Sequence, residues 1–334
     1  MAKKKRKTAA KKHKGIKIKG KNMFVFFIAG LAILFLGFLF FFKTFPTNFN
    51  LYIFPENPKQ GDTVFIKVKS GSSEITGNFG KEKINFFHLG SSSEWLAYFG
   101  IDAKMEPGKY KLLINDSEKN EIEKDINVSA QEFKEVKMVI TKELAAQGYT
   151  ENKIADDIAK KSGPTLEKIL SGFTPIPYFK NPFSFPLVKI EETGISFGEI
   201  IKAKNYQLSH FGVDLRASMD TEIHAVNDGK AVLAESLPNY GKTLVLDHGL
   251  GIYSLYLHLD SFKIAVGQLV KQGQVIGLSG DSGYSTAPHL HFSIKDNGSR
   301  VDPIVFIETT KKFEKNYSLA NIGQSLLEFF NIKK

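Results

Sequence analysis

Cysteine is absent from the 334 residues of this chain. No disulfide can staple it, and any zinc site in it has to be built from histidine and carboxylate. Acid is absent from residues 1–22, which hold eleven Lys and Arg between Lys3 and Lys21. Without that stretch, 34 basic residues stand against 35 acidic ones, so the net charge of +10 sits in one short tail. The remainder carries no excess of positive charge for a phosphate backbone, and no nucleic-acid partner is expected. Charge of either sign is absent from Met23 to Phe42. An H-E-x-x-H motif is absent too, so no glutamate base of that kind is on offer. No internal repeat is visible.

The uncharged run is twenty residues long. As a helix at about 1.5 Å per residue it would span about 30 Å, the hydrocarbon thickness of a bilayer. It exceeds the ~7–15 apolar residues of a signal peptide, and Phe40-Phe41-Phe42-Lys43-Thr44-Phe45-Pro46 offers no small-residue cleavage site. The expectation is an uncleaved transmembrane helix over 23–42, with 1–22 as its basic cytoplasmic tail. The protein is then expected in the inner cell membrane, embedded by a single pass, with its C-terminal domains outside the cytoplasm.

Beyond the linker prolines Pro46, Pro55 and Pro58, short strand signals begin. Val64, Ile66 and Val68 alternate with Lys67 and Lys69, and Pro107-Gly108 marks a turn before Tyr110–Ile114. Ile126 with Val128, then Val136–Ile140, add further strands, predicting a small β-sandwich-like leader domain over 48–140. Its one histidine, His88, has no partner in sequence and reads as surface or packing. Residues 141–184 predict a linker of two short helices, broken at Ser162-Gly163-Pro164 and followed by a proline-rich lead-in. Residues 185–308 return to strands: a hairpin from Thr221 to Ser236 turning at Asn227-Asp228-Gly229, then 243–248, 252–258, 274–278 and 289–295. The tail, 309–334, reads as an amphipathic helix carrying Leu319, Ile322, Leu326 and Phe330. The expected fold class is mainly β (α+β): a transmembrane helix, a β-sandwich-like domain, a helical linker and an antiparallel β domain.

Six of the eight histidines lie between 210 and 291, and four of them fall in three constellations: His210-Phe-Gly-Val-Asp214, Tyr256-Leu257-His258-Leu259, and His289-Leu290-His291-Phe292. On a strand, residues i and i+2 face the same side, so His289 and His291 share one space. Burying such rings unpaired would cost on the order of 1–3 kcal/mol each. One nitrogen and one oxygen from His210…Asp214, plus one nitrogen from the H-x-H, make three protein ligands, the count of a catalytic zinc site. Zinc so held is a Lewis acid and lowers the pKa of its water to around 7. With no glutamate available, surplus imidazoles would have to do the proton work. His224 reads as packing and His248 as structural.

These motifs, with Ser196-Phe197-Gly198, Asp247-His248-Gly249, Gly267…Gly273-Gln274-Val275-Ile276-Gly277, Gly280…Ser285-Thr286…Pro288 and Val301-Asp302-Pro303, give residues 185–306 their resemblance. They resemble the lysostaphin-type, or LytM-like, zinc endopeptidases of the peptidoglycan peptidase family, as a membrane-anchored member. The resemblance implies a LytM-type (duplicated hybrid motif-like) fold and one zinc per chain bound by His210, Asp214 and His291. It implies that His258 and His289 sit beside the metal as general base or oxyanion donors, without saying which is which. It implies hydrolysis of peptide bonds in peptidoglycan stems or cross-bridges, in a groove walled by loops near 199–209, 236–241 and 280–288. Divisome or other cell-envelope proteins are allowed as partners. Ala287 stands where the family usually has Gly, and Gly198-Glu199-Ile200 lacks an arginine often found there. Ser293 replaces an acid, which takes away a side chain that could orient a ligand. The alternative is a catalytically inactive member that binds the wall or activates another hydrolase.

Overall fold

The structure, a computed structural model, describes residues 49–88, 93–190 and 194–317. The first strands are β1 (Asn50–Phe54), β2 (Thr63–Lys69), β3 (Ile75–Phe79), β4 (Glu82–Ile84), β5 (Phe87–His88), β6 (Glu94–Gly100), β7 (Gly108–Asp116) and β8 (Glu121–Val128). They form two four-stranded sheets, ordered β1-β2-β6-β5 and β4-β3-β7-β8. Ile53, Val64, Ile66, Val68, Ala97 and Phe99 of the first sheet meet Ile75, Phe79, Leu112, Ile114 and Ile126 of the second in one apolar core. The intervening residues Phe65, Leu96 and Tyr98 point the other way, as strand alternation requires. They join Phe179, Phe183, Phe306 and Phe313 in the core of the C-terminal domain. The first sheet is therefore buried on both faces and couples the sandwich to the C-terminal domain. His88 packs edge-on against Trp95 at 4.6 Å.

Strand β9 (Glu135–Lys137) was expected to close the sandwich. It instead pairs in parallel with β10 (Ile200–Lys202), which continues into β11 (Gln207–Ser209). Helices α1 (Lys142–Ala146) and α2 (Glu151–Asp157) follow, each with a threonine hydroxyl, Thr141 or Thr150, capping a backbone N–H of its first turn. The expected break at Ser162-Gly163-Pro164 is absent. A π turn (Ile158–Ser162) carries α2 directly into α3 (Gly163–Leu170), with the Gly163 N–H reaching back to the Ile158 carbonyl. Widening one turn makes room for Pro164, whose ring would clash with a carbonyl in a regular helix.

The C-terminal domain is built on a nine-stranded sheet: β12 (Val213–Arg216), β13 (Glu222–His224), β14 (Gly229–Leu237), β15 (Gly241–Gly249), β16 (Ile252–Phe262), β17 (Leu269–Val270), β18 (Val275–Ser279), β19 (His289–Asp296) and β20 (Ser299–Val301). Its main path runs β12-β19-β16-β15-β14-β17, all antiparallel. The expected hairpin at Asn227-Asp228-Gly229 does not form. β13 pairs with β18 and β14 with β15 and β17. The Asp228 carboxylate holds the connection away from a tight turn by accepting from Gln272 N and Lys271 Nζ. Helix α4 (Pro303–Tyr317) begins where the Asp302 carboxylate accepts from Ile304 N and Val305 N, with proline at its first position.

One correction concerns fold class. A transmembrane helix was among the elements expected from the sequence, whereas the described residues are mostly β with few helices, none of them long and apolar enough to cross a membrane. The span expected at 23–42 lies outside the described residues, as does the tail segment with Leu319, Ile322, Leu326 and Phe330.

Candidate metal centre and its cleft

The pairing of β12 with β19 sets Asp214 directly across from His291. His210 lies just before β12, and its main chain is tied into a loop by His210 N to Glu199 O and Gly198 N to His210 O. His210 Nε2, Asp214 Oδ1 and His291 Nδ1 converge, at 3.1 Å, 2.9 Å and 2.9 Å from one another. The close approach depends on Gly212, where a methyl group would stand 2.5 Å from His291 Nε2 and overlap Ser293 Oγ.

Hydrogen bonds behind the cluster fix which ring nitrogen points inward. His210 Nδ1–H donates to the Ser196 carbonyl at 3.0 Å, and His291 Nε2 meets the Ser293 hydroxyl at 3.0 Å. With the Ser293 hydroxyl accepting from His291 Nε2–H, the inward atoms are two bare nitrogens and a carboxylate oxygen. Three lone pairs this close repel unless a cation lies among them. Around a tetrahedral zinc with bonds of about 2.0–2.1 Å, ligand atoms lie roughly 3.3 Å apart, close to the spacing found. The donor set of two imidazoles and one carboxylate suits zinc and leaves a fourth position for reactants.

His289 shares the face of β19 with His291, its Nε2 3.6 Å from Asp214 Oδ1. Its Nδ1–H donates to the Ala287 carbonyl at 2.8 Å. His258 approaches from β16, its ring centroid 4.8 Å from that of His289 and 6.1 Å from that of His291. Its Nδ1–H donates to the Ser282 carbonyl at 2.8 Å. Burial, then the neighbouring histidines, push its pKa down to about 3, so it is neutral near pH 7. His258 has φ of +61°, a backbone conformation costing about 1–3 kcal/mol in a non-glycine residue. The surroundings therefore force this ring into place.

The structure thus brings together all five histidine and aspartate side chains singled out in the sequence. His224 and His248 stay apart. His248 is fully buried in a chain running through Ser254 Oγ (2.7 Å) to Tyr256 Oη (3.0 Å), and burial lowers its pKa to about 4. Ser293, expected only as the loss of an orienting acid, instead places its own hydroxyl behind His291. The i, i+2 spacing of His291 and Ser293 on β19 was the available signal, since it puts both on one face.

A cavity of about 700 Å³ opens over the cluster. Its floor includes Leu255 and Leu257, and its walls include Tyr240, Tyr284 and Lys104. The linker contributes Val139, Ile154 and Leu166. Leu166 and Leu170 seat α3 on Leu233, Val245, Tyr253 and Leu255.

Residues 208–303 match the family described as Peptidase family M23. The chain is 38% identical over 120 residues to glycyl-glycine endopeptidase ALE-1 of Staphylococcus capitis, covering 34% of this chain and 33% of that protein. It is 41% identical over 92 residues to the murein hydrolase activator EnvC of Escherichia coli, covering 28% and 22%. The matched stretch is thus a third or less of these relatives' length. A solved putative peptidase M23 from Pseudomonas aeruginosa shares the fold at a TM-score of 0.55 and 22% identity, over 76% of this chain and 96% of that one. The likeness of fold therefore reaches beyond the matched segment into the regions that precede it. Residues 208–303 thus match as a peptidase family M23 domain, similar in sequence to lysostaphin of Staphylococcus simulans.

Proposed function

We propose that this protein is a zinc endopeptidase that cuts peptide bonds in peptidoglycan stems or cross-bridges, working outside the cytoplasm where that substrate lies. The observation that carries the reading is the convergence of His210, Asp214 and His291 beside two further imidazoles with tethered Nδ1 atoms. His210, Asp214 and His291 would hold one zinc ion. That ion would supply Lewis acidity toward a peptide carbonyl and a water acidified toward neutral pH. His258 and His289 keep Nε2 free of backbone partners on the side of the cleft. Between them they move protons and stabilise the charge that builds on the peptide oxygen, each contribution being worth about 10²–10³-fold or more. Leu255 and Leu257 provide an apolar floor along which an extended peptide can lie.

The similarity to a murein hydrolase activator raises a second reading, an inactive domain that switches on a partner enzyme. The complete set of five side chains favours hydrolysis. The deciding experiment treats purified peptidoglycan with zinc-loaded protein and assays both kinds of new end. Hydrolysis predicts new free amino groups, no new reducing sugars, and loss of both zinc and activity in Asp214→Ala. A zinc-loaded protein that is inert on walls of several cross-bridge types, yet stimulates a second hydrolase, would establish the activator reading.

A further inference from the structure

The linker before the peptidase domain touches the loops that orient His258 and His289. Two of these loops, around 238–242 and 281–288, are knitted into one body. Tyr284 N donates to Asn239 O at 2.9 Å, and Lys242 N donates to Ser282 Oγ at 2.9 Å. Gly241 and Gly283 pack so tightly that a side chain on either would overlap the opposite loop. Both glycines have φ above +60°, a region that other residues rarely adopt.

This body supplies the carbonyls that set both imidazoles. Ser282 O accepts from His258 Nδ1, Tyr240 O accepts from His258 N, and Ala287 O accepts from His289 Nδ1. Its outer side is fastened to the linker at three points. Tyr284 Oη donates to Val139 O at 2.7 Å, Asn239 Nδ2 donates to Ile154 O at 2.8 Å, and Tyr149 Oη donates to Pro238 O at 3.1 Å. The rings of Tyr149 and Tyr284 lie 5.9 Å apart, between the first and third of these bonds.

We propose that residues 139–154 are a buttress that positions the catalytic histidines, with Tyr149 and Tyr284 as positioning residues that act through the two loops. The proposal rests on the hydrolase reading for its rate consequences only. A hydroxyl spent on Val139 O or Pro238 O is committed away from substrate, and Tyr149 lies off the cleft wall. Their effect must therefore pass through the carbonyls that hold His258 and His289. A ring already forced to φ of +61° is sensitive to such support.

The test uses the zinc-loaded full chain with Tyr149→Phe and Tyr284→Phe, each removing one oxygen atom. With peptidoglycan fragments as substrate, kcat should fall roughly tenfold, within the ~10²-fold cost of misplacing a catalytic group by 1 Å. KM, zinc content and Tm should stay near the wild-type values. In protein carrying ¹⁵N-histidine, the His258 Nδ1–H resonance should shift and exchange faster with water in both variants. Unchanged kcat with an unchanged resonance would overturn the proposal. Faster hydrolysis would also overturn it, by showing that the linker acts as a lid. A wild type inert on every wall would sink the hydrolase reading, and the resonance alone would then decide the buttress.

Discussion

At the level of single residues, the chemistry lies in which atom of each side chain faces inward, and hydrogen bonds behind the cluster set that. Ser293→Ala deletes the hydroxyl behind His291 Nε2. Removing a partner of this kind typically costs about 10–100-fold in metal affinity. Competition with a zinc chelator should show a loss of that size, and an unchanged affinity would mean that Ser293 does not orient the ligand. Gly212→Ala should be worse, since its methyl group meets the His291 ring. Zinc content should then fall with little change in secondary structure by circular dichroism, whereas full occupancy would show that β12 can move aside. Four of the five candidate residues were legible as local patterns, His289 and His291 at i, i+2 on a strand and His210 with Asp214 as H-x3-D before one, whereas His258 was singled out by the family resemblance. Ser196 was not legible, because it acts through its main-chain carbonyl, while Ser293, at i+2 from His291, was noticed but read only as the loss of an acid.

At the level of elements, strand alternation was readable and pairing was not. Residues 222–224 and 229–237 both have strand character, yet they do not pair with each other: the first pairs with β18, far on in sequence, and the second with the next strand, β15. β9 likewise exchanges the sandwich for a parallel partner 65 residues on. Pro164 was misread as a stop because a π turn can absorb a proline that an α turn rejects. The helix so continued delivers Leu166 and Leu170 to the sheet, where both are more than nine-tenths buried. Leu170→Ala should cost about 2–5 kcal/mol, the usual penalty for truncating a buried leucine. Urea unfolding would register it, and a change below about 0.5 kcal/mol, the size of a surface substitution, would show that α3 is not seated there.

At the level of the whole molecule, a sheet buried on both faces makes the sandwich and the peptidase domain one cooperative body. Asp296 sits fully buried at their junction near Thr63, and burial raises its carboxyl pKa to about 7. An acid whose folded pKa lies above its unfolded value of about 3.9 binds its proton more tightly when folded. Its contribution is therefore favourable at low pH and is lost as pH rises from about 4 to about 7, by up to a few kcal/mol. Asp296→Asn removes that dependence. Urea unfolding at pH 5 and pH 8 should show the wild type losing more stability than the variant across the interval, and parallel losses would contradict the assignment.

In the proposed site three of the five side chains hold metal and two do chemistry. The most direct test measures zinc content and peptidoglycan hydrolysis together in His258→Ala and His289→Ala. About one zinc per chain is expected in both variants, with hydrolysis reduced by at least about a hundredfold. Loss of zinc from His289→Ala, or wild-type hydrolysis in either variant, would contradict this division.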